Sequence, residues 1–182
     1  EGRGDVAHLL TSQDRVHCIE QGDLIIRDGR GDRLTNTPIG TPSLLHEDGV
    51  WYLFYERNDV GVWLASSIDL KEWRNVQDDP IISLGPESDS MLIALNQVIK
   101  YQGRFYGYYN CQGRSLEWST CIATSDNLTY WIKYGKPLFP AEQFINSAFL
   151  VEAEGKYRLY ATHSRVQVFF PRANPTQALP TQ

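Results

Sequence analysis

A unit of about fifty residues that recurs along the chain restricts its fold more than any other feature. The clearest copy spans residues 41–73. A short apolar run at 43–46 meets a turn at Glu47-Asp48-Gly49, and the aromatic run Val50-Trp51-Tyr52-Leu53-Phe54-Tyr55 follows. A third run at 60–66 leads through Ser67-Ile68-Asp69-Leu70 to Trp73. Asp-Gly between two β-favouring runs predicts a tight hairpin, because both residues tolerate the left-handed backbone such turns need. The runs are of strand length and too short for typical helices.

The pattern starts again at Val98, with a turn at Gln102-Gly103, an aromatic run at 104–109, and Ala123-Thr124-Ser125-Asp126-Asn127-Leu128 leading to Trp131. From Gly49 to Gly103 the step is 54 residues, and from Trp73 to Trp131 it is 58. A third copy has an apolar run at 148–151, a turn at Glu154-Gly155 and a run at 156–162. Four short strands per unit at this period mark β-propeller blades, which bury their apolar faces by stacking on one another. The expected fold is all-β: a propeller of four-stranded antiparallel blades with about three blades present. Residues 1–36 are expected to form an N-terminal loop and a partial blade, with strands at 15–19 and 23–27. Blades follow at 37–88 and 89–140, an incomplete blade at 141–171, and a tail at 172–182. A closed propeller needs at least about four blades. The chain also starts at Glu1 with no initiator Met or signal h-region, so it is expected to be processed or part of something longer.

Composition narrows the function classes. Hydrophobic content of 42% and charged content of 21% are those of an ordinary globular domain. No apolar run approaches the roughly 20 residues of a membrane span. The formal charge of −5, with no basic stripe, argues against nucleic acid. The chain therefore reads as soluble, with a secreted or periplasmic location open. Ten Tyr and five Trp fall mostly inside the repeats, where they fill gaps between twisted sheets or offer flat faces to a ligand. Of the three cysteines, Cys111 and Cys121 flank one predicted hairpin loop and can face each other across strands; two reduced, packed thiols are expected. Asn127-Leu128-Thr129 fits a glycosylation sequon, but a strand-to-strand turn explains the Asn without glycan. The histidines His8, His17, His46 and His163 show no ligand spacing, so neither metal nor cofactor is expected.

The motif chain resembles the five-bladed propeller glycoside hydrolases, the broad group of arabinanases, β-xylosidases and invertases. Pro42-Ser43, the run from Asp48 through Tyr55, and Leu64-Ala65-Ser66-Ser67-Ile68-Asp69-Leu70-Lys71-Glu72-Trp73 carry the resemblance. The second copy, Ile122-Ala123-Thr124-Ser125-Asp126-Asn127-Leu128-Thr129-Tyr130-Trp131, repeats it. The resemblance covers about residues 37–170 and implies a carbohydrate ligand, with hydrolysis by two carboxyl groups flanking the scissile bond.

In a propeller the start of strand one and the end of strand two of each blade open on one face. On that face Asp89 and Glu56 are the candidate catalytic carboxylates, with Asp59, Glu87, Glu117 and Glu142 as the remaining acids. His163, Arg57, Asn96, Asn110, Arg165 and Trp118 are the expected substrate contacts. Each has a plainer alternative: an ion pair with Arg57 for Glu56, a solvated loop for Asp89, packing for His163, and core packing for Trp63, Tyr109 and Trp118. The resembled families carry acids at the start of inner strands, often as Asp-Pro. Here Thr41 precedes Pro42, and the later blades offer Leu95-Asn96 and Asn146-Ser147. A non-catalytic module binding glycan or protein, or an inactive fragment, is therefore the alternative reading. Open blade edges point to a possible homo-oligomer.

Overall fold

The computed structural model of the chain describes residues 7–34, 38–140, 143–162 and 167–170. Strands β1 (His8–Thr11) and β2 (Ile19–Asp23) form a separate two-stranded sheet, and β3 (Ile25–Arg27) follows. The first blade comprises β4 (Gly40–Glu47), β5 (Val50–Glu56), β6 (Gly61–Ser67) and β7 (Glu72–Asn75), with β8 (Ile82–Ser83) added along β6. The second comprises β9 (Leu92–Tyr101), β10 (Arg104–Gln112), β11 (Trp118–Ser125) and β12 (Ile132–Lys133). Strands β13 (Asn146–Ala153), β14 (Lys156–Thr162) and β15 (Gln167–Phe169) form the third. Neighbours within each blade run antiparallel.

The N-terminal segment departs from the expected half-blade. Its β3 pairs in parallel with β7, as an extra outer strand of the first blade's sheet. Residues 15–18 bend instead of extending, because the Asp14 carboxylate accepts the N–H groups of Val16 and His17 and meets the His17 ring at 2.6 Å. A local side chain offering such bonds competes with strand pairing. Within residues 7–14, expected to be loop, β1 forms and pairs with β2.

The repeated turns take the same form in each blade. Asp48 and Gly49, Gln102 and Gly103, and Glu154 and Gly155 all have positive φ, as a two-residue hairpin turn of matching twist requires. The outer corners repeat as well. The Ser67 hydroxyl accepts the Asp69 and Leu70 N–H groups, and Asp69 Oδ1 accepts those of Lys71 and Glu72. In the second blade Ser125 and Asn127 make the same set of bonds with Asn127, Leu128, Thr129 and Tyr130. Asn127 thus serves as Asp69 does, through a single side-chain oxygen. Each corner closes with its tryptophan indole donating to a leucine carbonyl, Trp73 to Leu70 and Trp131 to Leu128.

Alternation along the strands sorts side chains to the two faces of each blade. Phe54, Val62 and Leu64 of the first blade meet Ile93, Leu95, Tyr109 and Trp131 of the second in one apolar seam. A fully buried Phe or Leu here contributes about 2–3 kcal/mol. On the first blade's opposite face, Leu53, Trp63 and Trp73 pack with Ile26, Leu34 and Ile39. The second and third blades are joined by polar ties. Thr120 bonds to Ile145 O, and the Gln97 amide both donates to and accepts from the Leu150 backbone. No helix among the described residues is long and apolar enough to cross a membrane.

Candidate functional site

Register places Gly40 opposite Glu56, Leu92 opposite Gln112 and Asn146 opposite Thr162, so these strand ends share one face of the blade array. Near that face every inner strand carries a β-bulge. In β4, Thr41 and Pro42 stand opposite Tyr55 alone; in β9, Asn96 is the extra residue between the pairs Leu95–Tyr109 and Gln97–Tyr108. In β13, Ser147 and Ala148 stand opposite Ala161. Tyr55, Tyr109 and Ala161 occupy equivalent places in the repeat, so the bulge is a property of the blade. Proline is tolerated at such a point because no ladder bond is asked of its nitrogen. Thr41 and Ser147 have φ of 42° and 52°, a conformation that costs a non-glycine residue and that clusters at functional sites. Bulges re-aim side chains out of the sheet's alternation.

The bulges of the second and third blades meet in a polar cluster. Asn96 Nδ2 donates to Asn110 Oδ1 at 2.9 Å, and the Ser147 N–H donates to the same oxygen at 2.6 Å. Ser147 Oγ in turn donates to Asn146 Oδ1 at 3.0 Å. All four side chains are half-buried. Among the described residues, Asn96 Oδ1 and Asn146 Nδ2 make no further hydrogen bond, leaving one acceptor and one donor on a neutral, preorganised surface. Sugar hydroxyls, which both donate and accept, match that pairing.

Glu56 ends β5 and is buried. Its carboxylate accepts the Asp59 N–H at 2.6 Å and lies against Gly40, where a Cβ would come within 1.9 Å of Oε1. The turn it organises has Asn58 and Asp59 both left-handed, and Asp59 O accepts the Ile93 N–H at 2.6 Å. Glu56 therefore stands at the first blade's edge of the same face, on a turn docked to β9. Arg57 lies over the Trp63 ring at 5.0 Å. Trp118 is half-buried at the start of β11, opposite Gln112. His163, Arg165 and Glu142 lie outside the described residues.

Asp89 lies in the segment that leads into β9. Only 5% of it is exposed, its carboxylate lies 2.5 Å from Lys133 Nζ of the outermost strand β12, and it accepts the Tyr109 hydroxyl at 3.0 Å. The expectation of a solvated loop residue fails, because the segment before β9 folds between blades. Burial, followed by the charge of Asp89 and the bond to it, pushes the Tyr109 phenol well above its ordinary range. Trp63, whose indole donates to Asp78 O, and Tyr109 are packing residues.

The cysteines also depart from expectation. Cys111 and Cys121 are joined in a disulfide with Cα atoms 5.9 Å apart, both buried, while Cys18 is free and exposed. Cys121 stands opposite Tyr109 and Cys111 opposite Ser119, so the two side chains are diagonal neighbours on one face, within bridging reach. Sequence reasoning placed Asn146-Ser147 at the start of an inner strand on this face without naming either as a contact, although a bulge leaves a signal in the apolar pattern. Ile93, Leu95 and Val98 pack in one apolar cluster, and the step from two residues to three is the phase slip that marks the β9 bulge.

Solved structures similar to this chain include glycoside hydrolases and a phosphorylase. The chain is similar to a thermostable family-43 glycoside hydrolase at 21% identity and a TM-score of 0.58, over 70% of this chain and 42% of that one. It is similar to the endo-arabinase of Bacteroides thetaiotaomicron at 18% identity and a TM-score of 0.57, over 71% and 55%. The β-1,2-mannobiose phosphorylase of Listeria innocua, solved with β-1,2-mannobiose, matches at 16% identity and a TM-score of 0.65, over 90% and 49%. These likenesses establish the fold, that of the propeller glycoside hydrolases over the part the chain spans. The chain spans about half the length of the solved structures it matches. No protein-family model matches it, and no curated protein does.

Proposed function

We propose that this chain is part of a carbohydrate-acting propeller and that its bulged face binds a neutral sugar. The observation that carries the reading is the Asn96–Asn110–Ser147–Asn146 cluster, built from two blades and, among the described residues, holding an unused acceptor on Asn96 and an unused donor on Asn146. Arabino-, xylo- or manno-oligosaccharides are the ligand classes that the fold's neighbours favour. The buried disulfide supports an oxidising compartment, secreted or periplasmic, where such bonds persist. Calorimetric titration with these three oligosaccharide series tests the reading. Binding to at least one series, lost in Asn110→Ala while the thermal transition persists, is the expected result. No binding to any series, or unchanged binding by the variant, would overturn it.

Hydrolysis is the second reading, favoured by Glu56, a buried carboxylate held at the edge of the same face. It would serve as one member of the acid–base pair, with its partner from outside the described residues. Asp89, engaged by Lys133 and Tyr109, is the weaker candidate for that pair. Turnover of aryl glycosides that disappears in Glu56→Gln distinguishes hydrolysis from binding alone.

A further inference from the structure

Among the described residues three leucines hold a left-handed backbone, Leu70 at φ 64°, Leu128 at 67° and Leu116 at 63°. Leucine suits that conformation poorly, because its Cβ crowds the neighbouring carbonyl. Leu70 and Leu128 sit at the two outer corners, and each packs its side chain into an apolar cluster. Burial offsets the strain there. Leu116 has no such compensation, since it is 65% exposed.

The loop that carries Leu116, residues 113–117, is firmly held. The buried Gln112 donates its side-chain amide to Leu116 O at 2.8 Å, and the Leu116 N–H donates to Gly113 O at 3.0 Å. Gly113 approaches the segment that crosses between blades so closely that a Cβ would come within 2.6 Å of Glu87 O. The matching turn of the first blade puts Asn58 and Asp59 in the left-handed region, which those residue types adopt readily. A pinned turn that strains and exposes a leucine, where asparagine would fit with less strain, points to a role beyond folding.

Register places that leucine on the bulged face. Tyr55 and Tyr109 are equivalent in the repeat, yet β5 ends one residue later at Glu56 whereas β10 continues to Gln112. The second blade therefore rises two residues, about 7 Å, above the first on this face. Gln112 follows Asn110 on one side of β10, and Trp118 stands opposite Gln112. Trp118 thus lies one step beyond the Asn96–Asn110–Ser147 cluster, toward the opening, and Leu116 tops the same wall two residues earlier in the chain.

We propose that Leu116 and Trp118 form the apolar wall of a second sugar subsite, so that the ligand is an oligosaccharide of at least two units. The polar cluster takes the hydroxyls of one unit, and the wall takes the C–H face of the next. This inference rests on the sugar-binding reading and adds a chain-length requirement to it.

Leu116→Gly tests the subsite, because glycine adopts φ 63° without strain and the loop keeps its backbone bonds. Ligand-observed NMR titrations compare mannose with mannobiose, xylose with xylobiose, and arabinose with arabinobiose. In the wild-type chain at least one disaccharide is expected to bind several-fold more tightly than its monosaccharide. In Leu116→Gly that ratio falls toward one, with the thermal transition at or above the wild-type value. Leu116→Asn, equally suited to the turn, is expected to behave alike. A ratio unchanged in both variants, or a wild-type ratio near one, would overturn the subsite and leave the sugar-binding reading standing. Absence of binding by every sugar, longer members of the three series included, would overturn that reading and the subsite with it.

Discussion

Lys133 and Asp89 form an ion pair at 2.5 Å between the outermost strand of the second blade and the segment that crosses to it from the first. Lys133 also donates to Ser83 O, and Tyr109 donates to the same carboxylate oxygen of Asp89. One lysine and one tyrosine thus fix the path by which the chain passes between blades. A residue chosen from sequence as a catalytic acid is engaged in a structural tie.

Asp89→Asn is therefore expected to lower unfolding free energy by about 2–3 kcal/mol, because it leaves Lys133 without its countercharge in a largely buried place. Urea denaturation measures this. Sugar affinity of the folded protein should stay unchanged. A variant of wild-type stability that has lost sugar binding or turnover would instead restore Asp89 to the active machinery.

Alkali should unfold the protein through its buried tyrosines. Burial raises the Tyr55 and Tyr108 phenols to about 12, against an ordinary value of 10.0, and raises Tyr109 further. Above pH 10 the unfolded chain releases protons that the native state keeps, so stability falls as pH rises. The slope is about 1.4 kcal/mol per pH unit for each tyrosine. Phenolate absorbance should therefore appear in step with the loss of circular dichroism. Full ionisation of these tyrosines in a still-folded protein would contradict the assignment.

The disulfide closes a loop with a sequence separation of 10. Replacing both cysteines by Ala should cost about 2–3 kcal/mol, chiefly through a less restricted unfolded chain. Because both sulfurs are buried, reduction by dithiothreitol should be slow in the native protein and fast in urea. Rapid thiol labelling of Cys111 or Cys121 without reductant would show that the bridge is absent.

Gly40 carries no side chain because Glu56 occupies the space. Gly40→Ala would bring its Cβ within 1.9 Å of Glu56 Oε1, so the carboxylate must move. The expected outcome is loss of ligand affinity or turnover comparable to Glu56→Gln, with a stability change of about 1 kcal/mol. Unaltered function in Gly40→Ala would remove Glu56 from the site.

Much of the fold was legible because its signals are local. Asp48-Gly49 and Gln102-Gly103 set turns through backbone preference, and Ser67 with Asp69 caps a corner from within five residues. The site was less legible. Asn96 and Asn110 were named as contacts, whereas Asn146 and Ser147, which complete their cluster, were named only as the start of an inner strand. The N-terminal segment misled because β3 finds its partner in β7, more than forty residues away, where no local pattern points.

The sequence by itself determined the blade: its turns, its alternation and the tryptophan corner all arise from neighbours along the chain. Tertiary structure decided the rest. Whether Asp89 meets solvent or Lys133, whether Cys111 reaches Cys121, and which amides gather around Asn110 depend on register and on the stacking of blades. Those are set by the burial of side chains far apart in sequence, such as Phe54 against Trp131. A carboxylate's chemistry follows from its surroundings, and those surroundings exist only once the blades have packed.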